Sequence, residues 1–278
     1  MDNWRFGLGW RPELSAGIFA NLHRIDLLEV IADDYFHAAP HAVGALRTLG
    51  CHVPLQLHGV SMGMASTAPV DTARLDAMAR LIEAVRPEMW SEHLAFVRGG
   101  GIEIGHLAMP PRNDATINGA LENIRRATRH IGIAPAMENI ATLVEPPGST
   151  MPEAEWLAAI TREMPGGLLL DLHNVHTNAL NLGYPAAQLL NALPLHRVTN
   201  IHLAGGKPLK GRILDDHLHD VPDPVYALLA MVAQRISHPV TVILERDGAY
   251  PPIADLLAQL DRARVIVTQA TAHDHARL

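Results

Sequence analysis

The run LLLDLHNVHTNAL, residues 168–180, passes without a break from apolar residues into Asp171, His173, Asn174 and His176. A strand that ends this way either caps its own backbone or contributes side chains to a site. The same signature recurs along the chain. LLEVIADDY carries Glu29, Asp33 and Asp34, PLQLHG carries His58, and WSEHLAF carries Glu92 and His93. PAMENI supplies Glu138 and Asn139, NIHLAGG supplies His202, and VILERDG supplies Glu245 and Asp247. LDDHLHD adds Asp215, Asp216, His217, His219 and Asp220. These are carboxylates, imidazoles and carboxamides. Several carboxylates gathered in one small volume repel and are driven to protonate. Divalent or trivalent cations remove that difficulty, and neutral imidazoles then serve as nitrogen ligands.

Convergence is a matter of the elements that carry these residues. Short apolar runs predict strands at Phe6–Trp10, Leu27–Ala32, Val53–His58, Met89–Ala95, Ala134–Glu138, Gly167–Asp171, Val198–Leu203 and Val240–Glu245. Amphipathic patterns between them predict helices that include Asp71–Val85, Asp114–Ile131, Glu153–Glu163 and Asp223–Ile236, the last opened by Pro-Asp-Pro. Near-continuous apolar strands alternating with helices predict a parallel sheet covered by helices. Eight such units predict one closed (β/α)8 TIM barrel spanning residues 1–278, with a frayed tail from about residue 268. All C-terminal strand ends of a barrel meet at one mouth. Residues far apart in sequence are therefore expected to meet in a single metal site there. His23, His37, His52, His130, His196 and His238 fall outside the strand ends and read as surface residues.

Composition narrows the chemistry. The 278 residues are 48% hydrophobic and only 18% charged, which supports a large core and argues against disorder. A net charge of −7 argues against a nucleic-acid surface. The N-terminus lacks a signal-peptide pattern and no apolar run reaches membrane-spanning length, so a cytoplasmic location is expected. Cys51 is the single cysteine. It excludes an internal disulfide or a thiolate-based metal site, and it reads as a small buried apolar residue at the rim opposite the mouth. Ligand types alone leave zinc, manganese and iron standing. A zinc- or manganese-dependent hydrolase or isomerase on the same barrel is one alternative, although no strand end carries the lysine a sugar isomerase would want. A non-catalytic metal-binding protein is another. The segment GGKPLKGR, residues 205–212, reads as a flexible loop beside the mouth whose Lys207, Lys210 and Arg212 are either ordinary surface charges or a grip for acidic peptide residues.

The segments GLGWRPEL, LLEVIADDYF, PLQLHGVSMGM, SEHLAF, ENI, LLLDLHNVH, IHLAGG, DDHLHDVPDPV and LERDGAYPP resemble, in order and spacing, the multinuclear non-heme iron-dependent oxidative enzymes. That family includes the methanobactin-biosynthesis oxidase and the peptide-modifying enzyme of thiaglutamate biosynthesis. The resemblance runs from about residue 5 to residue 260. It implies a xylose-isomerase-like barrel with two or three irons, mixed Fe(II)/Fe(III), and dioxygen as co-substrate. It further implies oxidation of a residue, above all cysteine, in a ribosomally made precursor peptide that a small partner protein delivers. Carried over by motif, His58, His93 and Glu138 would hold one iron, with Glu138 bridging to a second completed by Asp171, His202 and Glu245. Asn174, Asp215 and His217 would hold a third. Glu138, Asp171, His202 and Asp215 would be the catalytic members, with Glu92 and Asn139 orienting the ligands. Many relatives have Asn in place of His173 and Thr in place of Asp216, which bears on substrate identity more than on metal binding.

Overall fold

The computed structural model describes residues 4–275. Eight parallel strands close into a barrel: β1 (Arg5–Trp10), β2 (Leu27–Ile31), β3 (Leu55–Gly59), β4 (Trp90–His93), β7 (Ala136–Glu138), β8 (Leu168–Asp171), β9 (Val198–Leu203) and β12 (Thr241–Leu244). Neighbours in the barrel are neighbours in sequence order, and β12 pairs with β1 to close it. The remaining four strands form two antiparallel hairpins outside the barrel, β5 (Phe96–Gly99) with β6 (Ile102–Ala108), and β10 (Gly205–Leu209) with β11 (Arg212–His219). Helices α1 (Ser15–Ala20), α2 (Pro40–Gly50), α3 (Thr72–Val85), α4 (Asp114–Ile131), α5 (Glu153–Glu163), α6 (Leu172–Leu182), α7 (Ala186–Ala192), α8 (Asp223–Ala233) and α9 (Ile253–His275) fill the connections.

The strands form where apolar runs meet a period of two. In β3, Leu55 and Leu57 face the helices while Gln56 and His58 face inward. Asn200 of β9 points inward as well, because its Nδ2 donates to Gln56 Oε1 at 2.6 Å across the barrel. Two residues above this polar pair lie His58 and His202, with ring centroids 5.3 Å apart. The core between barrel and helices is apolar. Its Trp90 and Trp156 are fully buried with their indole N–H groups donating to Ile133 O and Thr116 Oγ1.

The two hairpins are the main departure from the sequence expectation. Residues 205–212 are not a flexible loop but most of the β10–β11 hairpin, turned at Lys210 and Gly211. Both turn residues have positive φ, 47° and 82°, the backbone that a two-residue hairpin matching strand twist requires. Gly100 and Gly101, at φ 58° and 80°, turn the other hairpin in the same way. Strand β4 ends at His93, because the chain then leaves the barrel for the β5–β6 hairpin. Strands β3 and β7 start after Pro54 and Pro135, since proline has no N–H for the ladder. At the C-terminus helix α9 continues to His275, with Val267 and Ala270 buried; the last three residues of the tail expected to fray lie outside the described residues. Cys51 is exposed at the end of α2, its thiol facing the Arg47 carbonyl, and does not belong to the core. His23, His37, His52, His130 and His196 are exposed, while His238 is half-buried and bonds the Val198 carbonyl at 2.7 Å.

Candidate metal centre

Strand register sets the first level of the site. His93 stands opposite Glu138 across β4 and β7, and Asp171 stands opposite His202 across β8 and β9. Two groups of donor atoms result, each with its members within 4.8 Å of one another: His58, His93 and Glu138, and Glu138, Asp171, His202 and Glu245. Glu138 belongs to both. His58 Nε2 and His93 Nε2 each lie 3.3 Å from Glu138 Oε2. His202 Nδ1 lies 3.1 Å from Glu245 Oε2 and 3.7 Å from Glu138 Oε1. All are buried.

The far sides of the His58 and His93 rings are held. His58 Nδ1 meets Ser91 Oγ at 2.8 Å and His93 Nδ1 meets the Gly59 carbonyl at 3.0 Å. A carbonyl can only accept, so His93 carries a proton on Nδ1 and turns its Nε2 toward Glu138. Glu29 Oε1 stands 2.9 Å from His202 Nε2, an ion-pair approach without hydrogen-bond geometry. Glu92 lies under His93, accepting from the His93 and Met62 amides at 2.9 and 3.3 Å. It needs Gly59 beside it, because a Cβ there would sit 2.6 Å from Glu92 Oε2.

Asp171 answers both readings of its strand end. Its Oδ1 caps α6 by accepting from the Asn174 amide at 2.6 Å, while its buried Oδ2 has no hydrogen-bond partner and faces the second group. Asn139 fixes the backbone at this point, donating to the Asp171 carbonyl at 3.0 Å and accepting from the Asp171 amide at 2.9 Å. Helix α6 then presents Asn174, Asn178 and Asn181 on one face. Their amides donate to the carbonyls of Asn139, Ile140 and Thr142, which pins the segment after β7.

Asn174, Asp215 and His217, expected to hold a third ion, each keep a buried donor atom without a hydrogen-bond partner: Oδ1, Oδ1 and Nε2. His217 Nε2 is 2.8 Å from Asp215 Oδ1, and its Nδ1 is 3.1 Å from Glu245 Oε2 and 3.4 Å from Asp247 Oδ2. His217 has a φ of 51°, backbone that a non-glycine residue adopts only under strain. The Asn174 carboxamide instead donates to the Asn139 carbonyl, leaving its Oδ1 buried without a partner. His173 occupies part of the space: it is fully buried, with Nε2 3.4 Å from Asp215 Oδ1 and 3.3 Å from Thr177 Oγ1. Gly206 makes room for it, since a Cβ there would sit 2.6 Å from His173 Nε2. Sequence reasoning counted Glu29 and His173 among the strand-end residues without making either a ligand, and it missed Ser91 and Asn181, whose types carry no metal-ligand signal.

The electrostatics follow from crowding. Burial drives the Asp171 carboxyl well above its ordinary range and the adjacent Glu138 adds to it; burial also raises Glu29. Burial, helped by His93, pushes His58 well below its usual value. At His202 and His217 the same desolvation is outweighed by carboxylates, chiefly Glu245 and Asp215 respectively, and both imidazoles rise well above the ordinary range. Desolvation is also outweighed at His93, raised to about 9 by Glu138 and Glu92. Burial opposes ionisation of Glu245, but His202 and His217 hold it well below the carboxylate range.

The residues fit a metal cluster. Glu138 Oε2, Asp171 Oδ2, Asn174 Oδ1, His202 Nδ1, Asp215 Oδ1 and His217 Nε2 are all buried without a hydrogen-bond partner in the protein. Orphaned buried groups of this kind are costly unless something satisfies them. A shared set of cations would satisfy them, and nitrogen and oxygen donors suit iron, manganese or zinc. Above the donors opens a cavity of about 590 Å³. His58, His93, Asp215, His217, Glu245 and Asp247 form its polar side.

A family model described as "RiPP precursor modification enzyme MbnB/TglH/ChrH" matches residues 5–268. A UPF0276 protein of Streptomyces avermitilis is 35% identical over 272 residues, a match covering 95% of this chain and 55% of that protein, so the chain spans about half of that relative's length. A UPF0276 protein of Anaeromyxobacter is 31% identical over 267 residues, covering 96% of this chain and 94% of that protein. Among solved structures, a xylose isomerase domain containing protein from Salmonella typhimurium superposes with a TM-score of 0.62 at 12% identity, covering 95% of this chain and 97% of that one. That likeness speaks for the barrel alone.

Proposed function

The chain belongs to the RiPP precursor modification enzyme family MbnB/TglH/ChrH, and from that premise we propose that it is an iron- and dioxygen-dependent oxidase acting on a residue, most simply cysteine, of a ribosomally made precursor peptide. The observation that carries the reading is the pair of buried nitrogen–oxygen donor groups that share Glu138 at the floor of an open cavity. In this reading His58, His93 and Glu138 hold one ion, and Glu138, Asp171, His202 and Glu245 hold a second. Asp215 and His217, with Asn174 or His173, take a third. When bound, the irons supply redox chemistry with dioxygen and a soft-ligand-accepting centre for a thiolate.

The protein's own residues perform the rest. Glu138, common to both donor groups, would contribute negative charge to both ions. Ser91 and the Gly59 carbonyl hold the ring orientations of His58 and His93, and Glu29 faces the His202 ring at 2.9 Å. That rigidity keeps the donors in place when substrate arrives. His202 and Asp171 are fully buried and exclude water from the deeper ion position, whereas His93, His217 and Asp215 border the cavity where a peptide enters. A small protein that delivers the peptide is part of the same proposal.

Anomalous scattering at the iron edge, coupled with dioxygen-consumption measurements on anaerobically iron-loaded protein, tests this. More than one iron at the barrel mouth with peptide-dependent oxygen uptake is expected. A single bound metal, or zinc with no oxygen uptake, would sink it in favour of a hydrolytic or isomerising enzyme.

A further inference from the structure

We infer that the cavity selects an apolar side chain beside the reacting residue of the peptide and rejects an acidic one there. This rests on the peptide-modification reading above and adds the specificity of the same site. The cavity is asymmetric. Besides the donor residues, the cavity is lined by the apolar side chains of Phe96, Met109, Ile140, Val144, Pro146 and Leu214, which form its apolar wall. Among the described residues that line it, none is Lys or Arg, whereas Asp215, Asp216, Glu245 and Asp247 all do. A peptide whose reacting side chain reaches the floor must lay a neighbouring side chain against that wall. An apolar neighbour gains burial there. A carboxylate on that neighbour would leave water with no lysine or arginine in the lining to meet it, among carboxylates already present.

The wall is fixed rather than pliable. Asn181 ties its two segments together, donating to the Thr142 and Ile213 carbonyls at 2.9 Å each and accepting from the Ile213 amide at 2.8 Å. Arg212 reaches across from the β10–β11 hairpin to the Leu143 carbonyl, and Arg112 pairs with Glu145 on the same segment. Asn113 and Ser149 add further ties between residues 111–113 and 146–149. A wall held in this way favours ligands that match it, because little energy goes into reshaping it.

Val144 is the residue for a test. Its side chain lines the cavity, it is 57% exposed, and it takes no part in the donor groups, so Val144→Arg is expected to fold. The experiment is an anaerobic display selection against the Fe(II)-loaded protein, using a peptide library with a fixed cysteine flanked by randomised residues. A second library carries serine at the fixed position. Apolar residues should be enriched beside the cysteine and Asp or Glu depleted on the order of tenfold or more, the discrimination an apolar pocket delivers. Val144→Arg should recover the acidic sequences while leaving iron content unchanged. Cysteine-dependent enrichment that ignores the neighbouring charge would overturn the inference and leave the peptide-oxidation reading standing. Equal enrichment of the serine library with the apolar preference intact would do the reverse. Failure to enrich either library above a denatured-protein control would count against the pocket as a peptide subsite.

Discussion

Replacing Asn139 by alanine tests whether the deeper donor group depends on one carboxamide. Asn139 makes two buried hydrogen bonds to the backbone of Asp171, at 2.9 and 3.0 Å. Alanine strips both. The orphaned amide costs about 1–3 kcal/mol, and the carbonyl about 1 kcal/mol because an N-cap carbonyl also accepts the first helical bond. Together these give a loss of about 2–4 kcal/mol. For a chain of this size each kcal/mol moves the melting temperature by about 2–4 °C, so a fall of about 5–15 °C is expected. Asp171 Oδ2 should also lose its aim into the site, and metal content should drop with the stability. Asn139→Asp should not rescue, since a carboxylate keeps the acceptor but cannot donate to the carbonyl. Calorimetry and metal analysis of the parent and both variants provide the measurement. A melting temperature within about 1 °C of the parent, with full metal content, would refute the idea that Asn139 positions Asp171.

Glu138→Gln should remove bound metal from both donor groups, whereas His52→Ala, at an exposed position, should leave it intact; equal metal content in the two variants would mean that the site lies elsewhere. Stripping the metal with a chelator should lower the melting temperature, because an ion held at a hundredfold its dissociation constant contributes about 2.7 kcal/mol to the folded state. An unchanged transition after verified metal removal would contradict a site built at the barrel mouth. Lys210→Glu, at the exposed turn of the β10–β11 hairpin, should alter stability by less than about 0.5 kcal/mol and leave metal content alone. If the hairpin grips an acidic segment of the peptide, that variant should weaken its binding most at low salt, as fluorescence anisotropy at two ionic strengths would reveal.

The sequence by itself determined the barrel and the level of the donors. Short apolar runs placed the strands with their polar residues at one end, so that once β4 pairs with β7 and β8 with β9, His93 meets Glu138 and Asp171 meets His202. The hairpin at Gly100-Gly101 carries a turn signal, two glycines between extended runs, that the strand–helix reading passed over. The turn at Lys210-Gly211 was not legible, because the positive φ of a lysine is imposed by the strands on either side rather than by its own preference. Only the tertiary structure decided which oxygen of Asp171 caps a helix and which faces the site, and which nitrogen of each histidine does so. It also decided that His173 borders Asp215 while the Asn174 carboxamide turns to the Asn139 backbone. Such choices belong to side-chain torsions and to the partners brought close by closure of the barrel. A linear pattern specifies the residue and its face, but the direction of a lone pair is set by what stands opposite it in space.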